Sequence, residues 1–163
     1  MNRSSFSRFA FLLVAAILLT VSVASAAGPF QFYSVTPCRL ADTRDQPNGL
    51  TTGPALSHGF VRSFPIFGAA ARPCGIPTDA KAAALNVTVV APQSYGHLTI
   101  YPYNSSIPLV STLNYATGEG AIANGAIVPL SSDATFQVSV LPVLGYGPGY
   151  TTHVILDITG YFK

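Results

Sequence analysis

Past residue 27, proline and glycine interrupt this chain so often that a helix of ordinary length has no room to form. Fourteen glycines and thirteen prolines fall at intervals of roughly ten to fifteen residues or less, and no helical periodicity survives between them. What survives is alternation with a period of two. In Ala83 to Val90, the residues Ala83, Leu85, Val87 and Val89 share one face, while Ala84, Asn86, Thr88 and Val90 share the other. The chain must therefore bury its apolar residues as a set of short strands.

The same reading predicts a strand over Gly96 to Tyr103, with Leu98 and Ile100 inward and His97, Thr99 and Tyr101 outward. The short turn from Ala91 to Gly96 suggests that it forms a hairpin with the preceding strand. Further strands are predicted over Val110 to Tyr115, over Ile122 to Leu130 with a bulge at Asn124-Gly125, and over Thr135 to Leu141. The last runs from His153 to Phe162, with Val154, Leu156 and Ile158 inward. Gln31 to Val35 and Gly59 to Phe67 read as weaker strands, and Asp45 to Ser57 and Leu144 to Tyr150 as loops. About eight short strands at this spacing predict an all-β, single-domain β-sandwich of jelly-roll type.

Residues 1–26 read as an export signal. Arg3 and Arg8 form a basic start, Phe9 to Leu19 is an apolar run too short to span a bilayer comfortably, and Ala24-Ser25-Ala26 fits the cleavage rule. Cleavage would leave residues 27–163 as the exported domain, with no membrane span after signal removal. An uncleaved anchor is the alternative, since Thr20 to Ala27 would lengthen the run. The expected destination is secreted, extracellular or at the cell surface.

The net charge of +2 belongs to that leader. Without Arg3 and Arg8, the remaining lysines and arginines equal the acids in number. A neutral domain with scattered charges has no electrostatic footprint for nucleic acid or anionic membrane. Cys38 and Cys74 are the two cysteines, and in an exported chain they have a single possible pairing. Closing that loop is worth ~4 kcal/mol in the loop-entropy account. Reduced thiols or a metal pair are the rivals, but no histidine stands at ligand spacing.

Several segments look familiar together: Thr36-Pro37-Cys38-Arg39-Leu40-Ala41-Asp42-Thr43-Arg44, Cys74-Gly75-Ile76-Pro77, Leu85-Asn86-Val87-Thr88-Val89, Gly96-His97-Leu98-Thr99-Ile100-Tyr101-Pro102, Ser111-Thr112-Leu113-Asn114-Tyr115, Ala123-Asn124 and Asp157-Ile158-Thr159-Gly160-Tyr161-Phe162. In this order they resemble a loosely characterised family of bacterial secreted and cell-surface β-rich domains. Such domains occur alone, in tandem, or appended to secreted hydrolases and cell-wall amidases. The resemblance covers nearly all of residues 27–163. It implies an extracellular accessory or surface module and carries over no catalytic residue.

Arg39, Asp42 and Arg44 form the densest polar motif. They could grip a polar ligand. The simpler reading is a turn in which Asp42 accepts backbone N–H groups while Arg44 pairs with a carboxylate such as Asp157. Asp157 sits in the last strand, on the face expected to carry Ile155 and Tyr161, and is read as a paired structural acid. A small carbohydrate hydrolase using Asp157 with Asp42 is an alternative. No G-x-S-x-G elbow, metal-ligand spacing or calcium loop is present, so no catalytic residue, metal or cofactor is expected.

Tyrosine is the aromatic suited to a surface role, since its ring offers a flat apolar face with a polar tip. Tyr101 and Tyr103, two apart on one strand, with Tyr95 in the turn before, are expected to form a stacking platform. Their other reading is that they close the ends of the sandwich. The function expected is a non-enzymatic module that binds cell wall or extracellular polysaccharide, or other surface proteins. A self-associating structural subunit is the alternative, with Gln31 to Val35 as a strand free to complete another sheet.

Overall fold

In a computed structural model, residues 29–163 are described, and the predicted export signal at 1–26 lies outside them. The strands are β1 (Phe32–Asp42), β2 (Leu56–Ser57), β3 (Arg62–Phe64), β4 (Ala82–Val90), β5 (Gly96–Pro102), β6 (Leu113–Tyr115), β7 (Ala121–Pro129), β8 (Val138–Leu144) and β9 (Thr151–Phe162). They form two antiparallel sheets. One runs β1-β9-β4-β7, with β2 also on β9, and the other runs β3-β8-β5-β6.

The pairing is nested. β1 bonds to β9, β3 to β8, β4 to β7 and β5 to β6, as in a long hairpin rolled around a core. The added pairs β4·β9 and β5·β8 close each sheet. This is the expected jelly-roll, with the two-residue β2 as an extra strand continuing the edge of β1. Leu85, Val87, Val89, Val154, Leu156 and Ile158 from the first sheet meet Leu98, Ile100, Val138 and Val140 from the second in one core cluster. These are the alternating apolar sets, and burying such side chains supplies roughly 1.5–3 kcal/mol each before the entropy of ordering the chain. Cys38 and Cys74 are joined, with Cα atoms 5.7 Å apart, tying β1 to the loop between β3 and β4. No helix among the described residues is long and apolar enough to cross a membrane.

Several expectations about local pairing do not hold. β4 and β5 form no hairpin, because the chain crosses from one sheet to the other at 91–95. In that turn the Ala91 N–H reaches the Gly120 carbonyl and the Gln93 N–H reaches the Thr151 carbonyl, so its backbone is satisfied by the approach to β7 and the start of β9. Asn124-Gly125 is no bulge, since β4·β7 stays in register from Ala82↔Pro129 to Val90↔Ala121. The irregularities lie elsewhere, in β1 between Ser34 and Cys38 and between Arg39 and Ala41, and in β9 at Thr159. The extra residue Thr159 puts Tyr161 opposite Ala83, on the core-facing column. Tyr161 therefore does not share a face with Asp157 as expected.

Gln31 to Val35 is not a free strand. Phe32↔Phe162 and Tyr33↔Tyr161 are paired, and Gln31 and Lys163 exchange backbone hydrogen bonds of 2.9 and 3.0 Å. The segment closes its own sheet.

Candidate functional site

The polar motif is assembled by the second bulge of β1. Without an extra residue, positions 39 and 42 would point to opposite faces. With Leu40 inserted, Arg39 stands opposite Asp157 and Asp42 opposite Ile155, both on the outer face of the sheet. The Arg39 Nε donates to Asp157 Oδ1 at 2.9 Å, and its Nη1 donates to Asp42 Oδ2 at 3.1 Å. Arg44 grips Asp42 from the other side, with Nε on Oδ1 at 2.9 Å and Nη2 on Oδ2 at 2.6 Å, and its backbone N–H adds a bond of 3.1 Å.

The turn reading of this motif matches the geometry in one respect and needs correction in another. Asp42 does accept a backbone N–H, but the carboxylate that Arg44 pairs with is Asp42 itself. Asp157 belongs to Arg39. Asp42 is buried, and the hydrogen bonds from Arg44 outweigh burial and hold its carboxyl down at about 2. Next to it, Thr43 Oγ1 accepts from the Val154 N–H at 2.9 Å, and His153 Nδ1 lies 3.1 Å from that hydroxyl. A groove of about 630 Å³ runs beside the cluster, lined by Pro37, Cys38, Arg39, Asn86, Asp157 and Thr159.

The tyrosines separate into two groups. Tyr95 precedes β5 while Tyr101 and Tyr103 lie at its far end, so six to eight residues, on the order of 20–25 Å of strand, divide them. Tyr101 does point away from the core, yet it is only 5 % exposed, and burial pushes its phenol up. The segment entering β6 covers this side of β5, where Thr99 Oγ1 donates to the Val110 carbonyl at 2.7 Å. Tyr103 packs on Phe136 with ring centres 5.4 Å apart. The expected platform of Tyr95, Tyr101 and Tyr103 does not form.

A different platform does. At the end of the sandwich where β4 leads to β5 and β8 to β9, Tyr95 meets Tyr146 edge-on at 5.4 Å, and Tyr146 meets Tyr150 at 5.3 Å. The three rings are 52 %, 55 % and 39 % exposed. Their loops are tied together beneath them. The Gly145 N–H donates to the Tyr95 carbonyl at 2.7 Å, and the hydroxyl of buried Ser94 accepts from the Tyr146 N–H at 3.0 Å. Gln93 Oε1 takes the Thr151 N–H at 2.9 Å. The Tyr95 ring lies so close to Gly145 that an added Cβ would come within 2.1 Å of it. Tyr146 and Tyr150 sit in the stretch Leu144 to Tyr150, which reads as a loop, and they belong with Tyr95 to the tyrosines that the sequence offers for a surface role. Two tyrosines in so short a loop were the available signal.

Among the described residues, no three His, Cys, Asp or Glu side chains converge as metal ligands. No family model, curated protein or solved structure matches the chain.

Proposed function

We propose that residues 27–163 form a secreted, non-enzymatic binding module that contacts glycan, as in cell wall or extracellular polysaccharide, through Tyr95, Tyr146 and Tyr150. The observation that carries this reading is the run of three touching, exposed rings on loops tied to one another by hydrogen bonds, one of them accepted by the hydroxyl of buried Ser94. Exposed aromatic faces stack on the apolar faces of sugar rings, and phenol hydroxyls reach sugar hydroxyls. Because the loops are tied beforehand, binding orders little backbone.

The carboxylates support a structural role instead of hydrolysis. A glycosidase acid must hold its proton near neutral pH. Asp42 is kept ionised by two guanidinium groups, and Asp157 is committed to Arg39.

The test is pull-down on peptidoglycan and a panel of insoluble polysaccharides, comparing wild type with Tyr146→Ala and Tyr150→Ala. Each substitution should weaken retention about fivefold or more, by on the order of 1 kcal/mol per ring, and retention should change little with salt. Wild type that binds nothing on the panel, or binding indifferent to both substitutions, overturns the reading.

A further inference from the structure

Among the described residues, the two main sheet orders end on four strands, and three of these are guarded. β1 carries two bulges, Pro37 and the charged Arg39. β3 and β6 are three residues long. Such devices stop an edge from pairing with another chain. β7 has none of them. It runs for nine residues, Ala-Ile-Ala-Asn-Gly-Ala-Ile-Val-Pro, without a charge and without a register shift, and its single proline is the last residue.

The phase of its hydrogen bonds is set by its neighbours. The Thr43 N–H bonds to the Val154 carbonyl, so Val154 faces β1 and its neighbours Ile155 and Asp157 face β4. Thr88 and Asn86 then face β9, which leaves Val87 and Leu85 to bond with Asn124 and Ala126 of β7. It follows that the backbone N–H and C=O groups of Ala121, Ala123, Gly125 and Ile127 point away from β4. Among the described residues no backbone group meets them.

We infer that β7 is a self-pairing edge: two copies of this chain join through β7 in antiparallel register about a two-fold axis at Gly125. Such an axis sets Gly125 against Gly125 of the second copy and Ala123 against its Ile127. The three central narrow pairs then use groups that β4 leaves unused, with Pro129, which has no N–H, opposite Ala121 at each end, so the two sheets become one. The side chains fit the same operator. Ile127, 67 % exposed, falls on Ala123 of the other copy, next to the space at Gly125. No charge on the strand opposes the contact. At the ends, Leu130 of one copy comes alongside Gly120 of the other, with Lys81 one strand further in and Glu119 next to Gly120. This inference stands apart from the glycan reading, since the rings lie at a loop end and β7 at a sheet edge.

The experiment uses protein exported from cells expressing the full chain. Sedimentation from the micromolar range up to about 1 mM should show a monomer–dimer equilibrium. A Cβ at Gly125 meets no atom within 4 Å, so Gly125→Lys and Gly125→Glu leave the monomer room to fold. Each alone sets like charges directly opposite and should sediment as a monomer, while an equal mixture should restore a heterodimer. Amide exchange in the wild type gives a second reading that needs no variant. The N–H groups of Ala123, Gly125 and Ile127 should be protected at high concentration and lose protection on dilution. Those of Ile122, Asn124 and Ala126 should stay protected throughout. A wild type that remains monomeric, a dimer that survives either charge variant, or protection at the three outer amides that ignores dilution overturns the inference.

Discussion

Arg39 and Asp157 face each other across β1 and β9, and the guanidinium that holds Asp157 at 2.9 Å also holds Asp42 at 3.1 Å. The two acids are thus linked through one cation, but they differ in burial. The Asp42 side chain is almost fully enclosed, while that of Asp157 is partly open to water.

Asp42→Asn should therefore destabilise the domain by about 2 kcal/mol, because charge-assisted bonds to both arginines are lost inside the fold. Asp157→Asn should cost about 1 kcal/mol or less, as expected for a more exposed pair. Urea midpoints of the two variants check the order. Equal losses would contradict the difference in burial.

Acid should expose the same contribution. The folded value of Asp42, about 2, lies below the ordinary carboxylate value, so its stabilisation is complete above about pH 4 and disappears as pH falls through about 2. Melting temperature measured from pH 5 to pH 2 should fall for wild type, with a shallower fall for Asp42→Asn in that window.

Reducing the Cys38–Cys74 bridge should lower stability by ~4 kcal/mol if the entropy of the opened loop dominates. Denaturation with and without a phosphine reductant measures it. Thiol labelling of native, unreduced protein should find neither cysteine.

Gly160→Ala offers a local probe of the outer end of β1. A Cβ there would stand 2.3 Å from the Phe32 ring, which packs against Phe162 at 5.2 Å. The ring must move, at a cost of roughly 1–3 kcal/mol, and amides of residues 32–34 should exchange faster than in wild type. Unchanged exchange there would refute the contact.

Gly145→Ala asks the same of the ring platform. Its Cβ would occupy the position of the Tyr95 ring, so glycan retention should drop even though no tyrosine is removed. Retention equal to wild type would show that Tyr95 is dispensable.

Alternation made β4 and β9 legible in the sequence nearly residue for residue, because one face of each strand meets the core and the other does not. It failed where backbone geometry decides. Nothing in Ala91 announces the positive φ of 47° with which the chain begins its crossing between sheets, so the short turn reads as a hairpin. The bulge at Leu40 carries no glycine to mark it, yet it puts Arg39 and Asp42 on one face. The Tyr101 platform rested on treating the outward side of β5 as bare. The segment entering β6 covers it, and a period-two pattern cannot reveal a lid supplied by a loop.

The nested pairing sets a condition on the order of events during synthesis. β9, residues 151–162, is an inner strand bonded to β1, β2 and β4. A ribosome that has released only residues up to 150 has made a chain whose first sheet lacks that strand, with β1 and β4 having no partner between them. Long-range pairings of this kind form late. Closure of the first sheet must therefore wait for the C-terminal segment to emerge, whereas β3, β5, β6 and β8 of the second sheet all precede it.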